Sequence, residues 1–273
     1  MRYLAGRLVE LSHEFATDDD GPPLTPDAVT VAVVRDGRSV AAVTGPAVRA
    51  GSVYTFSAGE LGEGVYTVSW DGGPGARDRT VVEVCGAHLF SVADVRQVDE
   101  ELSAVRFPAA TVRAARERVE AEFEQITGRS FVPRLRRIAA VSTGPADPYL
   151  IPVPDVITVG AVTGSDDEPV SVGVERIGTA AVLWDLPPGE FAVEVRYGFI
   201  AAPVDVQAAG LLRVRTLLFE PASGIPDRAT SFQPAEGGTY TLSTPGVRGA
   251  QTGIPDVDAV LARYTIEEFG VWL

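Results

Sequence analysis

Between Pro108 and Arg134 this chain has room for one kind of local structure. The segment reads PAATVRAARERVEAEFEQITGRSFVPR. Val112, Ala115, Val119, Phe123 and Ile126 recur three to four residues apart, which on a 3.6-residue period makes one apolar stripe. Arg113/Glu117, Arg116/Glu120 and Arg118/Glu122 sit four apart and are expected to pair on the solvent face. Pro108 suits a first turn, Gly128 suits a left-handed stop, and Pro133 bars continuation. The spacing predicts a helix over about 108–128, and everything else in the chain must pack around it.

Around that helix, 273 residues leave space for two ordinary domains, and a hydrophobic content of 45% is enough for packed cores without metal or disulfide support. The single cysteine, Cys85, excludes an intramolecular disulfide and fits assembly in a reducing cytoplasm. Met1–Leu11 has only short apolar pairs broken by Arg2, Arg7 and Glu10, so no signal peptide is read there. No apolar run approaches the ~18–20 residues a membrane crossing needs, and a soluble chain is expected. All 23 basic residues are arginine, which a GC-rich coding genome explains more simply than any demand for arginine chemistry. The net charge of −14 argues against a broad grip on DNA phosphates. It does not argue against a conduit, because an acidic wall repels a duplex evenly and lets it slide.

Residues 1 to about 88 read as all-β. Arg7–Phe15, Val29–Val34, Ser52–Ser57, Val65–Trp70 and Thr80–Val84 are short runs rich in β-branched and aromatic residues. Turn signals separate them at Asp18-Asp19-Asp20-Gly21, Asp36-Gly37, Gly62-Glu63-Gly64 and Asp71-Gly72-Gly73. This rhythm suggests a small sandwich of the immunoglobulin or fibronectin type III kind, with Tyr54, Tyr66, Trp70 and Phe56 as its aromatic core.

A charged connector follows, in which Ser91 is expected to cap a short helix running to Glu101, and the domain boundary is placed near residue 90. After the main helix the chain returns to strands at Leu135–Ser142, Tyr149–Val153, Val156–Val162, Val170–Arg176, Ala180–Leu183 and Phe191–Tyr197. A second helix, Pro203 to about Glu220, is apolar on more than one side through Val206, Ala209, Leu212, Val214, Leu217, Leu218 and Phe219. The stretch 222–252 is Gly-, Pro-, Ser- and Thr-rich, with Phe232, Tyr240 and Leu242 as its anchors, and is longer than a compact domain needs. A short helix at Pro255–Arg263 leads to a terminal segment holding Phe269 and Trp272.

Three local patterns carry a resemblance: Glu124–Arg134 (EQITGRSFVPR), Val195–Phe199 (VRYGF) and Gly253–Asp258 (GIPDVD). In this order, across roughly residues 95–265, they resemble the head-to-tail adaptor (connector) proteins of long-tailed double-stranded-DNA phages. GVYTVSW at Gly64–Trp70 resembles a late strand of immunoglobulin-like modules attached to phage structural proteins. The expected fold is therefore an α+β multidomain chain. An immunoglobulin-like β-sandwich at 1–90 would precede a helical adaptor domain at 91–273, with helices at about 108–128 and 203–220, a β-rich insertion at 135–197, the loop 222–252 and a C-terminal segment 253–273. The resemblance implies a homo-oligomeric ring, a dodecamer, in the neck of a virion assembled in the host cytoplasm. Its implied partners are the portal protein and a tail-completion or second adaptor protein. DNA would pass through the lumen without specific binding, and no membrane is involved.

Reactive groups are sparse. His13 and His88 have no metal-ligand spacing, Cys85 reads as a small core residue, and no P-loop, nucleophile elbow or dinucleotide fingerprint occurs. Asp18-Asp19-Asp20 and Asp166-Asp167-Glu168 lack calcium-loop alternation and read as solvated turns. No enzyme, cofactor or metal is expected. Arg129, Arg134, Arg136 and Arg137 form the one local basic cluster. They suit a charged face, an inter-subunit or portal-facing ion-pair site, or direct DNA contact. With Phe219, Phe232, Tyr240, Leu242, Phe269 and Trp272 they make up the candidate interface. The rival function is a β-rich carbohydrate or cell-surface binding module, in which Tyr54, Tyr66, Trp70 and Trp184 would form a sugar platform.

Overall fold

The structure is a computed structural model; it describes residues 1–17, 21–219, 231–232, 240–241 and 251–266, with only the backbone described at 231–232 and 240–241. It corrects the expected fold class. Among the described residues the chain is mostly β, with 41% of them in strands and 22% in helix, and no helical adaptor domain is evident among them. The amphipathic pattern at 108–128 is real, yet it marks one helix of 19 residues. Helical periodicity is easy to see in a sequence; short strands without it are easy to undercount.

By compactness the chain divides into two units, Met1–Ala87 with Pro133–Tyr197, and His88–Val132 with Gly198–Leu273. The strand-rich insertion thus groups with the N-terminal strands, whereas the expected boundary near 90 left it with the helices.

The first unit begins with nine strands: β1 (Arg2–Leu4), β2 (Leu8–Ala16), β3 (Pro23–Leu24), β4 (Thr30–Arg35), β5 (Val43–Pro46), β6 (Val48–Ala50), β7 (Val53–Glu60), β8 (Gly64–Asp71) and β9 (Arg77–Cys85). They form a five-stranded sheet, β1-β9-β8-β4-β5, and a four-stranded sheet, β3-β2-β7-β6. β1 runs parallel to β9, and the other pairs are antiparallel. Period-two alternation sends Val9, Leu11 and Phe15, Val31 and Val33, Tyr54 and Phe56, and Tyr66, Val68 and Trp70 into one core between the sheets. The buried aromatics find partners for their polar ends. Tyr54 Oη donates to Pro26 O at 2.5 Å, Tyr66 Oη to Gly62 O at 3.0 Å, and Trp70 Nε1 to Thr80 Oγ1 at 3.4 Å. β1, β3, β5 and β6 are runs of two to four residues, too short to show a period, and were not expected.

The insertion builds a separate core. Its strands are β10 (Arg134–Ser142), β11 (Tyr149–Leu150), β12 (Val156–Gly164), β13 (Gly173–Ile177), β14 (Ala180–Trp184) and β15 (Gly189–Tyr197). They pair as β10-β15-β12 and β11-β14-β13 around Ile151, Val162, Leu183, Leu186, Phe191 and Val193. β12 slips register twice against β15, between Val156 and Thr158 and between Val159 and Val162.

The second unit holds the helices α1 (Val92–Val98), α2 (Ala109–Thr127), α3 (Val204–Phe219) and α4 (Pro255–Ala262), together with a two-residue ladder between β16 (Ser231–Phe232) and β17 (Tyr240–Thr241). Ser91 caps α1 in a reciprocal box: Asp94 N donates to Ser91 Oγ at 3.1 Å, and Ser91 N donates to Asp94 Oδ2 at 2.7 Å. Val112, Val119 and Phe123 of α2 meet Val206, Ala209, Val214, Leu217 and Leu218 of α3 and Val257 and Leu261 of α4 in one core. The expected solvent-face pairs on α2 are partly overturned. Arg116 and Glu120 are 4% and 3% exposed, and Glu122 pairs with Arg213 of α3. Among the described residues no helix is long and apolar enough to cross a membrane.

Candidate functional site

Part of each sequence pattern lies in the second unit: 124–132 of the first, Gly198 and Phe199 of the second and all of the third. The first begins where α2 ends. Thr127 Oγ1 donates back to Phe123 O at 2.7 Å and accepts from Arg129 N at 3.2 Å. Gly128 takes the left-handed conformation, φ 69°, and its N–H closes on Glu124 O at 2.8 Å. Ser130 Oγ then donates to Val132 O at 2.8 Å, turning the chain sharply before Pro133. Thr-Gly-Arg-Ser is thus a helix stop made of local hydrogen bonds.

The second pattern lies against that turn. Phe199 N donates to Ser130 O at 3.1 Å. Gly198 sits at φ +97°, where a Cβ would stand 2.3 Å from Val132 O and 3.0 Å from Ser130 O. No other residue type permits this backbone approach. Phe199 stacks on Phe131 at 5.5 Å.

The third pattern closes the cluster. Asp258 Oδ1 accepts from Thr252 N at 2.9 Å and Thr252 Oγ1 at 2.8 Å, tying down the start of α4. Beyond α4, Tyr264 presents its ring edgewise to Phe131 at 5.6 Å and to Phe199 at 6.0 Å. Ile266 N donates to Thr127 O at 3.0 Å. Tyr264 Oη donates to Asp205 Oδ1 at 3.0 Å, and Arg263 reaches Asp205 Oδ2 at 2.9 Å. Burial, and next the bond to Asp205, raise the Tyr264 pKa, so its hydroxyl stays a donor. Segments from residues 127–132, 198–199 and 252–266 therefore converge on one aromatic cluster.

The candidate interface residues are scattered. Arg129 is half-buried in the α2 stop. Arg134 Nη2 donates to Glu83 Oε2 at 2.5 Å, and Arg137 reaches Asp167 Oδ1 at 3.1 Å while lying across Gly37. Arg136 is exposed. The basic run is thus divided among separate contacts. Phe219 packs edgewise on Phe107 at 5.5 Å, with the guanidiniums of Arg106 and Arg215 at 4.9 and 5.5 Å from its ring centre. Arg215 also binds Asp99, and that bond, followed by one from Glu101 N, holds the Asp99 pKa low. The backbones of Phe232 and Tyr240 pair in the short ladder. Leu242, Phe269 and Trp272, the loop 222–252 other than that ladder and residues 251–252, and the triplet Asp18-Asp19-Asp20 fall outside the described residues.

For the rival sugar platform, Tyr54, Tyr66 and Trp70 are inside the sandwich and only Trp184 is exposed. Cys85 is buried and forms no disulfide. His13 stacks on Trp70 at 5.2 Å and meets Phe15 edgewise at 4.5 Å. Among the described residues no three His, Cys, Asp or Glu side chains gather as a metal site.

Sequence reasoning missed the long-range charge pairs. Glu120 Oε1 accepts from Leu89 N at 2.9 Å, and Arg116 Nη1 donates to Phe90 O at 3.3 Å. Arg196 grips Glu63 through two bonds of 2.7 and 2.8 Å. No local signal announces partners 26 to 133 residues apart.

No protein-family model matches this sequence, and no curated protein matches it. Two solved structures are similar to it. One, "Neck of empty GTA particle computed with C6 symmetry", is 18% identical, covers 67% of this chain and 92% of its own, and has a TM-score of 0.43. The other, "Neck of native GTA particle computed with C12 symmetry", is 20% identical, covers 66% and 90%, and has a TM-score of 0.41.

Proposed function

We propose that this chain is a structural subunit of the neck of a phage-like particle: a head-to-tail adaptor that forms a closed ring between a portal and the next component of the tail. One observation carries this reading. The first two patterns that resemble the adaptor family pack on each other through Phe131 and Phe199, Tyr264 just past the third closes on both rings, and Ile254 and Val257 of the third lie in the same hydrophobic core. They behave as a single structural device. The side chains in that cluster are spent on packing and capping, as a scaffold requires and a reaction centre does not.

In this reading the mechanism is geometric. Identical subunits meet head to tail, and because the rotation closes they make a ring of about a dozen copies instead of a filament. The net charge of −14 keeps the lumen from holding the duplex that passes through it. Arg129, Arg136, Phe219, Phe232, Tyr240, Leu242, Phe269 and Trp272 serve the contacts between subunits or with the portal.

The test is electron microscopy with mass measurement on the full-length protein, alone and mixed with purified portal rings. Rings of uniform copy number, free or seated on the portal, are expected. A protein that stays monomeric at high concentration and ignores every portal offered would overturn the proposal.

A further inference from the structure

The insertion and the sandwich share a compact unit, yet their cores are distinct sets of residues. Covalently they are not neighbours. The chain leaves the sandwich at Ala87, runs through 88–132, enters the insertion at Pro133 and leaves it at Tyr197. What holds the insertion against the sandwich is therefore non-covalent, and its conspicuous members are charged. Arg196 binds Glu63 with two hydrogen bonds, at 33% and 19% side-chain exposure. Arg134 and Arg2 share Glu83, at 2.5 and 3.3 Å. Arg35 and Arg38 approach Glu194 at 3.6 and 3.8 Å. One backbone bond joins the two parts, Gly86 N to Pro133 O at 2.9 Å. Beside these pairs lies a small solvent-open cleft lined by Arg35, Asp36, Leu135, Arg137 and Glu194.

We propose that this seam is a salt-sensitive latch, from which the insertion can release while both cores stay folded. The physics separates the two kinds of bond. Apolar cores are not weakened by sodium chloride, whereas partly solvated ion pairs lose strength as the screening length falls from about 10 Å at 0.1 M salt to about 3 Å at 1 M. A charged partner surface that competes for Glu63, Glu83 or Arg196 would open it in the same way. The latch therefore gives the chain a second arrangement that charge alone selects.

Hydrogen exchange on the full-length protein tests this, because the Gly86 amide donates across the seam. Between about 0.05 and 1 M sodium chloride its exchange is expected to speed up about tenfold. The amides of Val68 in β8 and Val193 in β15, each in the centre of its own sheet, should hold their rates. Glu63→Gln should speed Gly86 exchange already at low salt, and the swap Glu63→Arg/Arg196→Glu should restore it. Exchange at Gly86 that ignores salt would overturn the proposal. So would acceleration of all three amides together, since sandwich and insertion would then open as one body.

Discussion

Arg213 of α3 holds Glu122 of α2 through two parallel hydrogen bonds, Nε to Oε2 at 2.9 Å and Nη2 to Oε1 at 3.0 Å. The pair joins residues 91 positions apart, and the other buried residues of α3 are Val206, Ala209, Gly210, Val214, Leu217 and Leu218. A fork-to-fork geometry of this kind fixes the rotation of one helix against the other.

Glu122→Gln should therefore be more damaging than removal of both charges. The single substitution removes the carboxylate charge that the buried guanidinium grips through two nitrogens and is expected to cost about 3 kcal/mol, while Glu122→Leu with Arg213→Met should come closer to neutral. Urea denaturation of the single and double variants decides it. A double variant less stable than either single one would show that the pair contributes more than its desolvation costs.

Gly198→Ala should destabilise the second unit strongly. The substitution places a methyl group 2.3 Å from Val132 O at a φ of +97° that L-residues rarely adopt. Strain and displaced backbone together are expected to cost about 3 kcal/mol or more. Gly6 has a comparable positive φ, +68°, and nothing within 4 Å of its would-be Cβ. Gly6→Ala should then cost about 1 kcal/mol, the conformational part alone. Equal melting temperatures for the two variants would count against the close approach at Gly198.

Acidification should weaken the sandwich through His13. Burial lowers its pKa in the folded state, outweighing the opposing pull of Asp78 and Glu14. The unfolded chain, with an ordinary pKa near 6.5, then binds the proton more readily. The stability contributed by neutral His13 is fully present above about pH 6.5 and is lost as pH falls through the lower folded value. Thermal melts between about pH 7 and pH 5 should show this decline, and His13→Gln should flatten it. A melting temperature that rises on acidification would mean that Asp78, 3.4 Å from Nε2, dominates instead.

The sequence by itself determined what depends on neighbours along the chain. The stop at Thr127-Gly128, the capping box at Ser91 and the alternation that buries Tyr66, Val68 and Trp70 are all written in residues a few positions apart, and all stand in the structure. The bounds of α2, α3 and α4 fell within a residue of expectation for the same reason. Only the tertiary structure decided what those elements face. Arg116 and Glu120 have the spacing of a solvent-exposed pair, yet they are buried because Leu89 and Phe90 supply backbone partners from outside the helix. Arg134 and Arg137 look alike beside Arg136, but Glu83 and Asp167 claim them separately. The balance of strand over helix also emerged only there, because edge strands of two to four residues are held by the neighbour they pair with and have no pattern of their own. Local hydrogen bonds and hydrophobic period are properties of short windows of sequence; charge pairing and burial are properties of whatever the folded chain brings alongside.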